Sequence, residues 1–250
     1  MLELIPAAAR FGNTFYKDEY YATLQLPGYN GYKARDNVQA EGFYCEHELW
    51  QSVYSAPIAR IAELMKEESV YITQKILHLV LPQLTHDTLM HATGGVSQGD
   101  GLYHLSFKHY RPEINAIGLT PHRDFGYVTI LYIDKDGLHA KIDDAWHPIP
   151  PREGYFIVNF GRSLELLIND PMLLNASWHY VEQIKQEKHG GDRMCFALFS
   201  GCNLNSPLHR IQEDGSLEIA YLTYKEFVDA GFKDVYDSPD LSEITFSIKS

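Results

Sequence analysis

Two histidines and an aspartate, His122, Asp124 and His179, are the residues whose types and spacing could best do chemistry here, and that chemistry is metal binding. One residue separates His122 from Asp124, His179 follows His122 by 57 positions, and Arg193 comes 14 later. Two imidazoles and a carboxylate are the protein half of a facial triad, a donor set that suits non-haem Fe(II) and leaves positions open. Residues two apart in an extended segment point to the same side, so His122 and Asp124 can aim at one ion while Arg123 points away. Alone, the triplet is weak: with 12 histidines in the chain, about one His-x-Asp is expected by accident.

The same two-residue period puts Arg193, Cys195, Ala197 and Phe199 on one face, and three of these four are small or apolar. That face is expected to be interior. An arginine that begins it needs an anionic partner, because an unpaired buried charge is very costly. A bound carboxylate gripped through two hydrogen bonds would serve, and so would an internal salt bridge to an Asp or Glu.

Elements that could carry these residues are visible around them. We read residues 1–250 as a single domain: about 1–100 an N-terminal helical region, 101–205 a β core, and 206–250 a C-terminal helical segment. Ser55 and Pro57 predict a helix start, and Ile58, Ile61, Met65, Ile72, Ile76 and Leu79 recur at helical spacing until Pro82. That stripe is read as a face packed on a sheet. Short β runs follow at Leu105–Tyr110, Tyr127–Ile133, Tyr155–Phe160 and Met194–Ser200, punctuated by Asp136-Gly137, Glu153-Gly154 and Gly190-Gly191. Many short strands with turns between them suggest a sandwich or jelly roll, mainly β with flanking helices. Thr223-Tyr224-Lys225-Glu226 reads as a capping box, Gly231 as a helix end, and the tail after Pro239 as loosely held.

Composition narrows the partners. A net charge of −12 argues against nucleic acid, since phosphate binding wants clustered Lys and Arg. Cys45, Cys195 and Cys202 form neither an even set nor a CxxC pair, so free thiols in a cytoplasmic setting are expected. Met1 to Phe11 lacks the pattern of a secretory signal. The longest apolar stretch, Ile76–Leu81, is interrupted by His78 and far too short to span a membrane. A soluble protein with a small-molecule substrate is expected, and its sequence says nothing of oligomeric state.

Taken in order, the motifs resemble the isopenicillin N synthase-like branch of the Fe(II)/2-oxoglutarate-dependent oxygenases. The similarity runs through Leu105-Ser-Phe-Lys-His-Tyr110, His122-Arg-Asp-Phe-Gly126, Thr129-Ile-Leu131, Gly137-Leu138, Trp146, Gly154 to Gly161, His179-Tyr-Val181 and Arg193-Met-Cys195. Gly28-Tyr29, Glu41-Gly-Phe43 and Leu49-Trp50 extend it into the N-terminal third. The resemblance implies a double-stranded β-helix (jelly roll) in which His122, Asp124 and His179 hold Fe(II). It implies that Arg193 grips the distal carboxylate of 2-oxoglutarate, with Tyr110 in support. The implied reaction uses O2 to hydroxylate, desaturate or cyclise a small organic substrate, with succinate and CO2 as coproducts. Cys195 departs from the usual serine, and a thiol is a weaker donor than a hydroxyl. As a buried cysteine it is either an inert small hydrophobe or a weak cosubstrate contact. Lys108 stands where many members have asparagine. Two other readings fit these residues: a ferrous oxidase that draws all its electrons from its substrate, and a jelly-roll protein whose metal site is not catalytic. The substrate itself is not chosen by the fold. Lys33, Arg35 and Lys108 are cations that could meet a carboxylate.

Overall fold

Pro57 in the first turn and Pro82 beyond the last bound one long helix, because proline suits a helix start and cannot continue a helix interior. In the computed structural model, which describes residues 2–235, that helix is Ala56–Val80. Three shorter helices precede it, α1 (Ile5–Gly12), α2 (Glu19–Thr23) and α3 (Trp50–Val53), which makes the long one α4; α5 (His86–Ala92) follows. Ile58, Ile61 and Met65 of α4 are buried as the periodicity requires. Beyond Met65 the inward line continues in steps of four through Ser69, Thr73 and Leu77, all fully buried. The Thr73 hydroxyl donates to the Ser69 carbonyl at 2.7 Å, which lets a polar residue occupy that line. Leu79, expected on the same face, is 81% exposed.

Alternating side chains then build two facing sheets. The strands are β1 (Gly31–Ala34), β2 (Ala40–Glu46), β3 (Leu102–Tyr110), β4 (Leu119–His122), β5 (Val128–Ile133), β6 (Leu138–Ile142), β7 (Ala145–Pro148), β8 (Ile157–Phe160), β9 (His179–Val181) and β10 (Arg193–Gly201). A six-stranded antiparallel sheet has the order β1-β2-β3-β10-β5-β8, and a four-stranded one the order β4-β9-β6-β7. Two helices interrupt the strands, α6 (Arg162–Ile168) and α7 (Gln186–His189). On β3 and β10, Tyr103, Leu105, Phe107, Met194, Phe196 and Leu198 face the helices in one large core. Phe11 of α1 meets Phe107 edge-on at 4.7 Å there. The opposite faces meet the smaller sheet in a second core that includes Tyr110, Ile133, Leu138, Val181 and Cys195. This is a double-stranded β-helix with flanking helices, as the strand pattern implies.

Two regions differ from expectation. The stretch 1–100 is not wholly helical: β1 and β2 extend the large sheet, with Phe43 of β2 paired to Phe107 of β3. Every β2 residue is buried or half-buried, so both faces are covered, which erases the alternation that reveals a strand. The stretch 206–250 contains a hairpin, β11 (Leu208–Ile211) and β12 (Leu217–Tyr221), before its helix α8 (Tyr224–Val235). The capping box of α8 is formed: Thr223 Oγ1 accepts from the Glu226 N–H, and the Thr223 N–H donates to Glu226. Gly231 does not end α8. A Cβ at that position would overlap Phe125 and Arg162, so the glycine serves close packing. The tail after Pro239 lies outside the described residues.

Candidate active site

The two histidines come together because β4 and β9 pair with His122 directly opposite His179. Their ring centroids are 4.2 Å apart. Asp124 follows β4 and turns inward beside them, with Oδ1 3.8 Å from His122 Nε2 and 3.7 Å from His179 Nε2. One potential ligand atom from each residue lies within 4.8 Å of the others. Arg123 points the other way, into an ion pair with Glu165 at 2.9 Å.

Neighbouring groups set the state of each donor. His122 Nδ1 lies 2.8 Å from the Thr120 carbonyl and His179 Nδ1 3.0 Å from that of Ser177. A carbonyl only accepts, so Nδ1 carries the proton in both rings and the Nε2 lone pairs face Asp124. Asp124 Oδ2 accepts from Thr129 Oγ1 and from Asn159 Nδ2, each at 2.7 Å, which leaves Oδ1 for an ion. Burial, and then the neighbouring His179, depress His122 to about 3. Burial alone would raise Asp124, but His179, His122 and the bonds from Thr129 and Asn159 outweigh it and hold the carboxyl below its usual range. A neutral imidazole and a carboxylate at neutral pH are the forms a metal requires.

Behind the carboxylate the backbone is closely packed. A Cβ on Gly126 would collide with the Ser200 carbonyl, and one on Gly161 with the Gly126 carbonyl. The Asp124 carbonyl also accepts from the Arg162 N–H at 2.8 Å.

From this cluster a cavity of about 180 Å³ runs between the sheets, past Leu131, Leu138, Ile149 and Val181, to Cys195, Tyr110 and Arg193. Along β10, Phe199 pairs with Thr129 and Cys195 with Ile133, so Arg193 lies at the opposite end from the residue that holds Asp124. Arg193 is 0% exposed. Its Nε donates to the carbonyls of Asp136 (3.0 Å) and Lys135 (3.3 Å), and its guanidinium sits 4.6 Å over the Tyr110 ring. Among the described residues, Nη1 and Nη2 have no hydrogen-bond partner. Asp134, an acid whose charge acts on Arg193, forms no ion pair with it among the described residues and instead accepts from the Met194 N–H at 2.9 Å. Tyr110 presents its hydroxyl to Cys195 Sγ at 3.7 Å, and burial keeps that hydroxyl protonated.

The six residues singled out from the sequence therefore line one cavity, three at each end. Thr129 and Asn159 gained no role from the sequence. They face each other across β5 and β8, and each is a polar residue at an inward position of an otherwise apolar strand, which is the signal available.

Residues 101–201 match the family model described as the 2OG-Fe(II) oxygenase superfamily. The likeness to that superfamily therefore lies in the β core of this chain. It is 28% identical over 205 residues to Jasmonate-induced oxygenase 2 of Arabidopsis thaliana, covering 74% of this chain and 53% of that protein. The chain thus spans about half the length of this relative. The crystal structure of JOX2 in complex with 2OG, Fe and JA superposes with a TM-score of 0.68 at 20% identity, covering 92% of this chain and 74% of that one. That of the dioxygenase for auxin oxidation in rice gives 0.72 at 16% identity, covering 93% and 82%. These superpositions agree with the jelly roll described above.

Proposed function

We propose that this protein is a non-haem Fe(II)- and 2-oxoglutarate-dependent dioxygenase that oxidises a small organic substrate, with succinate and CO2 as coproducts. The observation that carries the reading is the pair of unsatisfied Arg193 Nη groups at one end of a cavity whose other end gathers His122, Asp124 and His179. A buried guanidinium fork without a protein acid fits a ligand carboxylate. The three donors fit Fe(II), which when bound supplies the redox chemistry by which a keto-acid and O2 react together.

Each residue then has a stated task. His122, Asp124 and His179 hold the ion from one side. Thr129 and Asn159 fix the carboxylate so that a single oxygen faces it. Arg193 anchors the far end of 2-oxoglutarate, Tyr110 underlies the guanidinium, and Cys195 supplies a small contact wall. The apolar middle of the cavity excludes water from the reacting end. The acidic balance of the chain supports a small-molecule partner over nucleic acid, and three buried free thiols support a cytoplasmic setting. No helix among the described residues is long and apolar enough to cross a membrane.

The test is succinate formation and O2 uptake by the Fe(II)-loaded protein with 2-oxoglutarate over a panel of small organic substrates. An Fe(II)-dependent absorption band on adding 2-oxoglutarate without air is also expected. Turnover with O2 uptake and no succinate would instead indicate a ferrous oxidase. No affinity for Fe(II) would leave a jelly-roll binding protein.

A further inference from the structure

We propose that Lys108 selects the primary substrate, and that this substrate is a small organic acid whose carboxylate pairs with the Lys108 ammonium near the metal end of the cavity. The proposal rests on the oxygenase reading above and adds the substrate class to it.

The placement follows from the strands. On β3, residues 103, 105 and 107 face the helical core, so Lys108 falls on the other face with Tyr110, and both line the cavity. The Lys108 backbone pairs with Cys195, toward the Arg193 end. Its side chain leans away from that end: Nζ lies 5.2 Å from the centroid of Phe199 and 6.0 Å from that of Tyr44. Phe199 is opposite Thr129, whose hydroxyl holds Asp124 at 2.7 Å. The ammonium is thus delivered toward the ion, while Arg193 keeps the far end.

Lys108 also lacks what a partly buried lysine normally has. Among the described residues it has no ion pair and no hydrogen-bond acceptor, only the two aromatic faces. An ammonium is strongly hydrated, and ring faces replace little of that hydration. Among the described residues, Asp124, committed to the metal, is the one acid that lines the cavity. Two cations therefore line a cavity whose one acid is committed to the metal, in a chain whose net charge is −12. If Arg193 takes the cosubstrate, Lys108 is left for a second carboxylate, with an apolar body against cavity-lining residues such as Phe199 and Leu131.

Binding separates this from a surface role. The Fe(II)·2-oxoglutarate protein, kept without air, is titrated with butyrate, octanoate, phenylacetate and cinnamate and with their primary amides, read by the absorption band and by thermal shift. At least one acid is expected to bind about tenfold or more tighter than its amide, the scale of one partly desolvated ion pair. Lys108→Met should abolish that preference, Lys108→Arg should retain most of it, and neither should move 2-oxoglutarate affinity more than about twofold. Acids no tighter than amides, or a preference that survives Lys108→Met, overturns the proposal. A loss that falls on 2-oxoglutarate in Lys108→Met also overturns it, by assigning Lys108 to the cosubstrate. Failure of 2-oxoglutarate to bind the wild-type protein overturns the oxygenase reading instead. An acid preference lost in Lys108→Met would then still uphold the role of Lys108, by thermal shift.

Discussion

Arg193→Met removes the charge at the end of the cavity remote from the metal donors while nearly keeping the volume of the side chain. The two free Nη groups define what is lost. Each charge-assisted hydrogen bond to a carboxylate contributes about 1.5–3 kcal/mol, so losing two costs about 3 kcal/mol at the low end, on the order of a hundredfold in affinity. The empty protein should respond in the opposite sense. There the guanidinium is fully buried with only Nε hydrogen-bonded, so an apolar side chain is expected to stabilise it by about 1 kcal/mol, or a rise in Tm of about 2–4 °C. Three measurements check this: 2-oxoglutarate titration of the Fe(II) protein without air, Fe(II) affinity by chelator competition, and thermal melting without ligands. Fe(II) affinity should stay within about twofold of wild type. Keto-acid affinity within about threefold of wild type, or parallel loss of Fe(II) and keto-acid, would refute the assignment of Arg193.

Asp124→Ala removes the one anionic donor and should abolish Fe(II) binding measured by chelator competition, while circular dichroism stays that of a folded protein. Thr129→Val deletes one of the two bonds to Asp124 Oδ2 and should weaken Fe(II) by about tenfold or more in the same competition, with 2-oxoglutarate affinity of the metal-saturated protein little changed. His104, away from the metal ligands, gives a testable part of the pH dependence, to which His122 also contributes. Burial, and then Lys108, lower it to about 3 from 6.5, so between these values an unfolded chain binds a proton that the folded one does not. Stability should fall as pH drops from about 6.5 toward 3, and His104→Leu should flatten that fall in urea melts across the range; an unchanged slope would mean that another group dominates.

Branched and aromatic runs made β3, β5, β8 and β10 legible by composition, even though both faces of β3 and β10 are covered. The hidden strands have physical reasons of their own. The first, β1, is only Gly31–Ala34, and β2 is covered on both faces. The hairpin β11–β12 turns at Asp214-Gly215, with Gly215 at φ +80°, a turn signal ahead of Thr223 in the stretch grouped with the C-terminal helix. Leu79 shows how an apolar stripe can be continued along the wrong line when Ser69 and Thr73 occupy the right one. For the site, His122, Asp124 and His179 were recognisable by type and order. That His122 and His179 meet depends on the β4–β9 register, which neither segment encodes alone. Arg193 was legible as an interior cation, but not whether a protein acid would neutralise it. Only the position of Asp134, turned to a backbone N–H, decides that.

The close backbone packing at Gly126 and Gly161 bears on how this sequence can drift over time. The loop that presents Asp124 is wedged from behind by bare peptide groups, with no side chain to retune when a neighbour changes. Cavity-wall positions such as Leu131 or Ile149 can exchange one apolar residue for another of like size and thereby reshape what is accommodated. The two glycines have no such latitude, since even a methyl group would displace the carboxylate from the far side. Divergence toward new substrates is therefore channelled into the wall, while the scaffold behind the ion stays fixed without touching it.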